Sequence, residues 1–244
     1  MSSLNPLNDN TLQELYSTDY IGEWINVELN KDQLDRRFIK PNIVFENPSG
    51  NAICLGNGRS RKSYSTEKFE KTNSRKILRY YNVMYGCNAV YRDWQPDFLI
   101  MTNQLLAAGL PDSFRDIVFA PQEIMRRYKN MNLIPGAARL DAGSAATYLA
   151  AFHGAKRVFL FGYDGQQIPG VNNNIYAGSK LYPTETESVS DTKWIHNLKN
   201  VVQTYKNVEF VRVATNTEDN YRQLSRFDNY KTVSFRQFVS LADL

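Results

Sequence analysis

Cysteine is scarce in this chain, and the scarcity rules out two common ways of stapling a fold. Cys54 and Cys87 are the only two in 244 residues, too few for a disulfide framework or for a four-ligand zinc site of their own. Their apolar, strand-like surroundings predict buried free thiols. Long apolar runs are lacking as well: no stretch approaches the roughly 20 consecutive apolar residues that cross a bilayer. The opening residues, Met1 to Asn10, carry neither the basic nor the apolar region of a secretory signal, so a soluble, cytoplasmic protein is expected. Nor does one sign of charge dominate. A formal net charge of +4 is modest for this length and does not demand a general affinity for nucleic acid. There is no internal repeat and no low-complexity tract. What is present, 42% hydrophobic and 13% aromatic residues, suits one large domain with a sizeable core.

Strand and helix patterns alternate along the chain. Residues 11–16 read as a short amphipathic helix, and residues 40–46 as an outer strand closed by the turn signal Asn47-Pro48-Ser49-Gly50. Strands are then predicted over 52–56, 81–85, 97–101, 116–119, 157–161 and 208–213, with helices over 121–128, 143–153 and 192–205. This order predicts an α/β fold whose doubly wound, mostly parallel sheet has right-handed crossovers. The expectation is a Rossmann-like single domain over 51–215, with residues 1–50 packed on it as an N-terminal extension. Residues 216–244, which carry Leu224, Phe227, Val233, Phe235, Phe238, Val239 and Leu241, are expected to form a helical cap or a contact between subunits of a homo-oligomer. Ligands of such sheets collect beyond the carboxyl ends of the strands, near the point where strand order reverses.

Chemistry-capable residues gather at those ends. The run Ile53-Cys54-Leu55-Gly56-Asn57-Gly58-Arg59-Ser60-Arg61 reads as a buried strand feeding a phosphate-handling loop. Gly56 and Gly58 are expected to permit positive φ and close approach of a ligand to main-chain N–H groups, with Ser60 beside them and Arg59, Arg61 and Lys62 supplying positive charge. The plainer reading is a strand-to-helix turn with a solvated basic rim. Asn88, Asn103 and Asp164 follow later strands. An asparagine amide both donates and accepts, so it can read a nucleobase edge or a ribose hydroxyl without adding charge; it also tolerates left-handed turns.

The segment from Leu140 through Gly143 and Ser144 to Gly154 opens on a capping residue and continues in small side chains. Unpaired N–H groups in its first turn can receive a phosphate or carboxylate, and the same small residues allow tight packing on a sheet. His153, at the helix end, is expected to meet terminal carbonyls. Residues 166–190 have the Gly, Asn and Pro content of a flexible lid, with Tyr176 and Tyr182 available to stack on a sugar or base. Between Arg59 and Arg79 eight Lys or Arg residues stand against Glu67 and Glu70, interleaved with Tyr64 and Phe69. That strip fits a solvated face, a basic flap over a phosphate, or a nucleic-acid surface.

Taken in order, Gly56-Asn57-Gly58, then Tyr85-Gly86-Cys87-Asn88, then Ala142-Gly143-Ser144, then Phe161-Gly162-Tyr163-Asp164 resemble the sequence blocks of sialyltransferases of the bacterial lipooligosaccharide type, over about residues 51–215. The resemblance implies a glycosyltransferase that moves a sialic-acid-like sugar from a CMP-activated donor to a hydroxyl of a glycan or other acceptor, without a metal or other required cofactor. It implies Asn57, Gly58, Asn88 and Gly143 as donor-binding residues and Tyr176 and Tyr182 as partners of the departing phosphate. A related architecture occurs in archaeal-type pterin pyrophosphokinases, which makes a nucleotide-dependent pyrophosphokinase the alternative enzyme. Two departures stand out. Ala142 replaces the family's serine, and the catalytic histidine expected in the loop before the helix at 192–205 is missing. His196, inside that helix, and the carboxylates Glu185, Glu187 and Asp191, which populate the expected loop, are the candidates left for general base, Glu187 and His196 being put forward as catalytic.

Overall fold

The computed structural model describes residues 24–30, 33–39, 50–62, 83–125, 127–128, 131–134, 140–165, 173–185, 192–215 and 221–242. Strands β1 (Trp24–Asn30) and β2 (Gln33–Ile39) form an antiparallel hairpin, Trp24 opposite Ile39. It was not foreseen from the sequence; the helix and strand expected at 11–16 and 40–46 lie outside the described residues. The main sheet contains β3 (Asn51–Leu55), β4 (Val83–Cys87), β5 (Phe98–Ile100), β6 (Val118–Ala120), β7 (Asn132–Leu133), β8 (Arg157–Phe161), β9 (Glu209–Val213) and β10 (Tyr230–Val233). Its helices are α1 (Gln104–Ala108), α2 (Gln122–Met125), α3 (Ala142–Phe152), α4 (Thr192–Thr204) and α5 (Phe235–Leu241).

All eight strands of the main sheet pair in parallel, in the order β10-β9-β8-β3-β4-β5-β6-β7. The chain therefore starts at the centre, steps outward from β3 to β7, and returns to the other side of β3 to lay down β8, β9 and β10. The reversal falls between β3 and β8, where Leu55 pairs with Phe161. This is the α/β, Rossmann-like single domain that the alternation predicted.

Both faces of the sheet are covered, which is why its central strands are continuously apolar. Cys54 pairs with Leu160 on one side and Tyr85 on the other, so the three share a face, and α3 lies on it. The Cys87 thiol donates to the Ala142 carbonyl at 3.4 Å, and the Tyr85 hydroxyl stands 2.6 Å from His153 Nδ1. On the opposite face Phe238 of α5 meets Phe159 and Phe161 edge-on, with centroids 4.8 and 4.9 Å apart. Burying one such ring contributes about 2–3 kcal/mol. Alanines dominate α3, giving it helix propensity and a side chain small enough to sit close to the strands. Asp141 caps its start, and Gly154, at φ 91°, ends it.

The C-terminal region differs from expectation. Rather than only a helical cap, it supplies β10, which extends the sheet beyond β9, and then α5, opened by a capping box between Ser234 and Gln237. Tyr230-Lys231-Thr232-Val233 alternates β-favouring residues with a lysine, enough for a short edge strand. The strand β7, two residues long, was also not foreseen.

Candidate functional site

A cleft of about 320 Å³ opens at the carboxyl ends of β3, β4 and β8, at the point where strand order reverses. Gly56, Asn57 and Gly58 line it from β3, Asn88 from β4, Gly143 from the first turn of α3, and Asp164 from the loop after β8. Six of the residues singled out in the sequence are thus brought together.

The glycines are needed for a reason other than the one expected. Gly58 has φ −65°, and neither it nor Gly56 is among the positive-φ glycines. They are small because two loops touch. The Gly56 N–H donates to the Phe161 carbonyl at 2.7 Å and the Gly58 N–H to the Gly162 carbonyl at 2.9 Å. A Cβ on Gly56 or Gly58 would stand 2.6 or 2.5 Å from the Gly162 oxygen. The turn is therefore zipped to the β8 loop by backbone alone. Gly162, at φ 69°, is the residue whose left-handed conformation this contact requires.

Asn57 holds the other wall. Its carbonyl accepts the Ile175 N–H at 2.8 Å, while its side-chain Oδ1 is enclosed and without a hydrogen-bond partner among the described residues. Asn88 combines the two roles that its residue type allows: it takes φ 47°, and its Oδ1 accepts the Thr102 N–H at 3.0 Å, tying the end of β4 to that of β5. Asp164 is buried and engaged, accepting the Ser60 N–H at 2.7 Å and the Ser60 hydroxyl at its other oxygen. It closes the turn at Arg59–Arg61.

At the α3 start, Asp141 lines the cleft and its carboxylate is fully occupied. It accepts the Ser144 N–H at 3.0 Å, the Ser144 hydroxyl at 2.7 Å and the Asn197 amide at 3.1 Å. The Gly143 carbonyl accepts the Tyr163 hydroxyl at 2.8 Å. Burial pushes the Cys87 thiol up to about 12 and raises the Cys54 thiol and the Tyr163 phenol well above their ordinary values. Cys87 and Tyr163 are thus neutral lining, and Cys54 is neutral core; both cysteines are free and buried, as expected.

Several sequence candidates belong elsewhere. Asn103 is the N-cap of α1, accepting the Leu105 and Leu106 N–H groups at 2.9 and 3.3 Å, and does not line the cleft. Ser144 and Ser60 spend their hydroxyls on Asp141 and Asp164 and do not line it either. His196 is exposed on α4, off the cleft. Glu187 and Asp191 lie outside the described residues, and Glu185 is exposed. His153 turns into the core toward Tyr85 rather than to carbonyls at the helix end.

Tyr176 and Tyr182 hold a turn in place instead of facing a ligand. Tyr176 donates to Asp93 and accepts from Arg61 Nη2 at 2.8 Å, and burial raises its phenol. Arg61, offered by the sequence as a surface cation, is 2% exposed and pairs with Asp93 at 3.0 Å. Arg92 stacks its guanidinium on both tyrosine rings and donates to Ser179 at 2.9 Å. Residues 173–185, expected as part of a flexible lid, are thus a tight turn with a Ser179–Tyr182 bridge, docked on the body. The basic strip loses Arg61 from its surface; residues 63–79 lie outside the described residues.

No protein-family model, curated protein or solved structure matches this chain. Function is therefore argued from the cleft itself. Sequence reasoning missed Asp141 and Trp194 in it. Asp141 carried a signal, the Asp-x-x-Ser spacing of a helix cap; Trp194 carried none. No helix among the described residues is long and apolar enough to cross a membrane.

Proposed function

We propose that the cleft binds the nucleotide of a CMP-activated sugar and that the protein transfers a sialic-acid-like sugar to an acceptor hydroxyl. One observation carries this reading: Asn57, Asn88 and Gly143, distant in sequence, line a single cleft at the switch point of a parallel sheet, where such folds take nucleotides. The volume lies at the lower end of the range for small-ligand sites, about 300–1,000 Å³, and suits a nucleoside monophosphate. With the Asn57 Oδ1 enclosed and the Asn88 Oδ1 taken by Thr102, their side-chain NH2 groups are left to donate to a base edge or a ribose oxygen. The first turn of α3 offers N–H groups to the phosphate. The charge of Asp141 beside it is offset by its three hydrogen-bond donors.

In the transfer, the acceptor oxygen forms a bond to the anomeric carbon as the bond from that carbon to the phosphate oxygen breaks. CMP departs with the electron pair. The hydroxyl proton passes to a carboxylate, for which Glu187 is the sequence's candidate, and the α3 N–H groups stabilise the charge that grows on the phosphate. Exposed His196 is not given this role.

Thermal-shift measurements with CMP, UDP, GDP and ATP test the reading. The expected outcome is a rise in Tm with CMP that disappears in Asn57→Ala, and sugar transfer unchanged by chelator. A response to ATP or GDP with magnesium and none to CMP would replace it with the pyrophosphokinase alternative.

A further inference from the structure

The cleft has two unlike ends with the start of α3 between them. On the side of the sheet are Asn57, which follows β3, and Asn88, which follows β4. At the other end is Trp194, half-buried on the first turn of α4 and lining the cleft. The α3 start is tied to both: Ala142 accepts the Cys87 thiol at 3.4 Å on the β4 side, while Asn197 of α4 donates to Asp141 at 3.1 Å on the other. A phosphate on the α3 N–H groups would therefore lie between the strand ends and the start of α4.

The Trp194 ring is firmly backed. Tyr221 packs against it edge-to-face, centroids 5.1 Å apart at 89°. Tyr221 in turn donates its hydroxyl to the Asp164 carbonyl at 2.5 Å and lies under the buried Arg212 guanidinium, 4.6 Å from its ring centre. A large flat side chain fixed in this way offers contact area with little rotamer freedom left to lose.

We propose that Trp194 is the platform for the sugar ring of the donor, a pyranose whose C–H face stacks on the indole, while the nucleoside occupies the asparagine end. The inference rests on the nucleotide reading above and deepens it: the preferred ligand is a nucleoside monophosphate that carries a sugar, not the free nucleotide. Trp194 is thus a specificity-determining residue that distinguishes donor from product.

Calorimetric titration of CMP and of CMP-N-acetylneuraminic acid into the wild-type protein, Trp194→Ala and Trp194→Phe tests this. The expected result is an unchanged CMP affinity, within about twofold, with the CMP-sugar affinity reduced about tenfold in Trp194→Ala and largely restored in Trp194→Phe. Equal weakening of both ligands would put the base on Trp194 and overturn the proposal while leaving the nucleotide reading intact. Failure of the wild-type protein to bind either ligand would end both. Should Trp194→Ala unfold, the difference in fluorescence between wild type and Trp194→Phe decides: a change on adding CMP-sugar but not CMP supports the platform, and no change with CMP-sugar overturns it.

Discussion

The two turns that flank the cleft are held by opposite means. Residues 56–58 are fixed by backbone touching backbone: two N–H groups donate across to the β8 loop, and glycine is present because nothing larger fits. Residues 173–182 share one backbone bond with that turn, from the Ile175 N–H to the Asn57 carbonyl, and are otherwise fixed by side chains, through Asp93, buried Arg61, Tyr176 and Arg92. The first kind of contact has little freedom to rearrange, since closely packed main chain cannot rotate away. The second depends on a charge balance and fails when one partner is removed. The difference suits a site in which the proposed nucleotide side is preformed and the outer turn is anchored mainly by side chains.

The larger stability effect is expected from the charged anchor. Asp93→Ala leaves the 2%-exposed Arg61 without its counter-ion and takes away the acceptor of the Tyr176 hydroxyl. Removing one partner of a buried pair costs about 3–5 kcal/mol; Asp93 is itself 34% exposed, so the lower end, about 3 kcal/mol by chemical denaturation, is expected. The double variant Arg61→Met, Asp93→Ala is expected to recover much of it, because the stranded charge is then gone as well. A double variant no more stable than Asp93→Ala would mean that the pair does not anchor the turn.

A smaller loss is expected at the backbone contact. Gly58→Ala places a methyl 2.5 Å from the Gly162 oxygen and against the Asp164 carboxylate, an overpacking cost of about 2 kcal/mol. Because the two loops must separate to admit it, CMP binding should fall further than stability does. Gly109→Ala is the control, with nothing nearer than 3.9 Å to the added carbon. If Gly58→Ala binds CMP as the wild type does, the zipped turn is not part of the nucleotide site.

The same contrast marks what the sequence could reveal. Strand β8 is read at its observed bounds because both its faces are buried and its apolar run is unbroken; other elements shift by a residue or two, as ends defined by fraying bonds do. The convergence of Asn57, Asn88 and Gly143 was legible because it follows from a parallel sheet, whose strand ends share one edge. Asn103 sits at an equivalent strand end and was misread, since an amide that caps a helix and one that meets a ligand have the same sequence signature. The inward turn of Arg61 was not legible: its partners Asp93 and Tyr176 lie 32 and 115 residues away, and a basic run looks solvated until they are found. Trp194 reaches the cleft through the placement of α4, which no local pattern encodes.

A pH series separates the cleft, at the start of α3, from the core at the far end of that helix. His153 is buried beneath α3 against Tyr85, and that burial pulls its imidazole well below the ordinary range. An unfolded chain would protonate it near pH 6.5, whereas the folded one resists. Below about pH 6.5 the unfolded state thus binds the extra proton and is favoured; the stability present above that pH is lost as pH falls, by about 1.4 kcal/mol per pH unit until the folded-state value is reached. His153→Phe, placed among Phe98, Phe119 and Phe152, is expected to lower stability at pH 8, because Tyr85 loses its partner, yet to flatten the slope between pH 6.5 and 5. Unfolding free energies that fall equally steeply in wild type and His153→Phe would show that acid acts elsewhere than on the imidazole at the far end of α3.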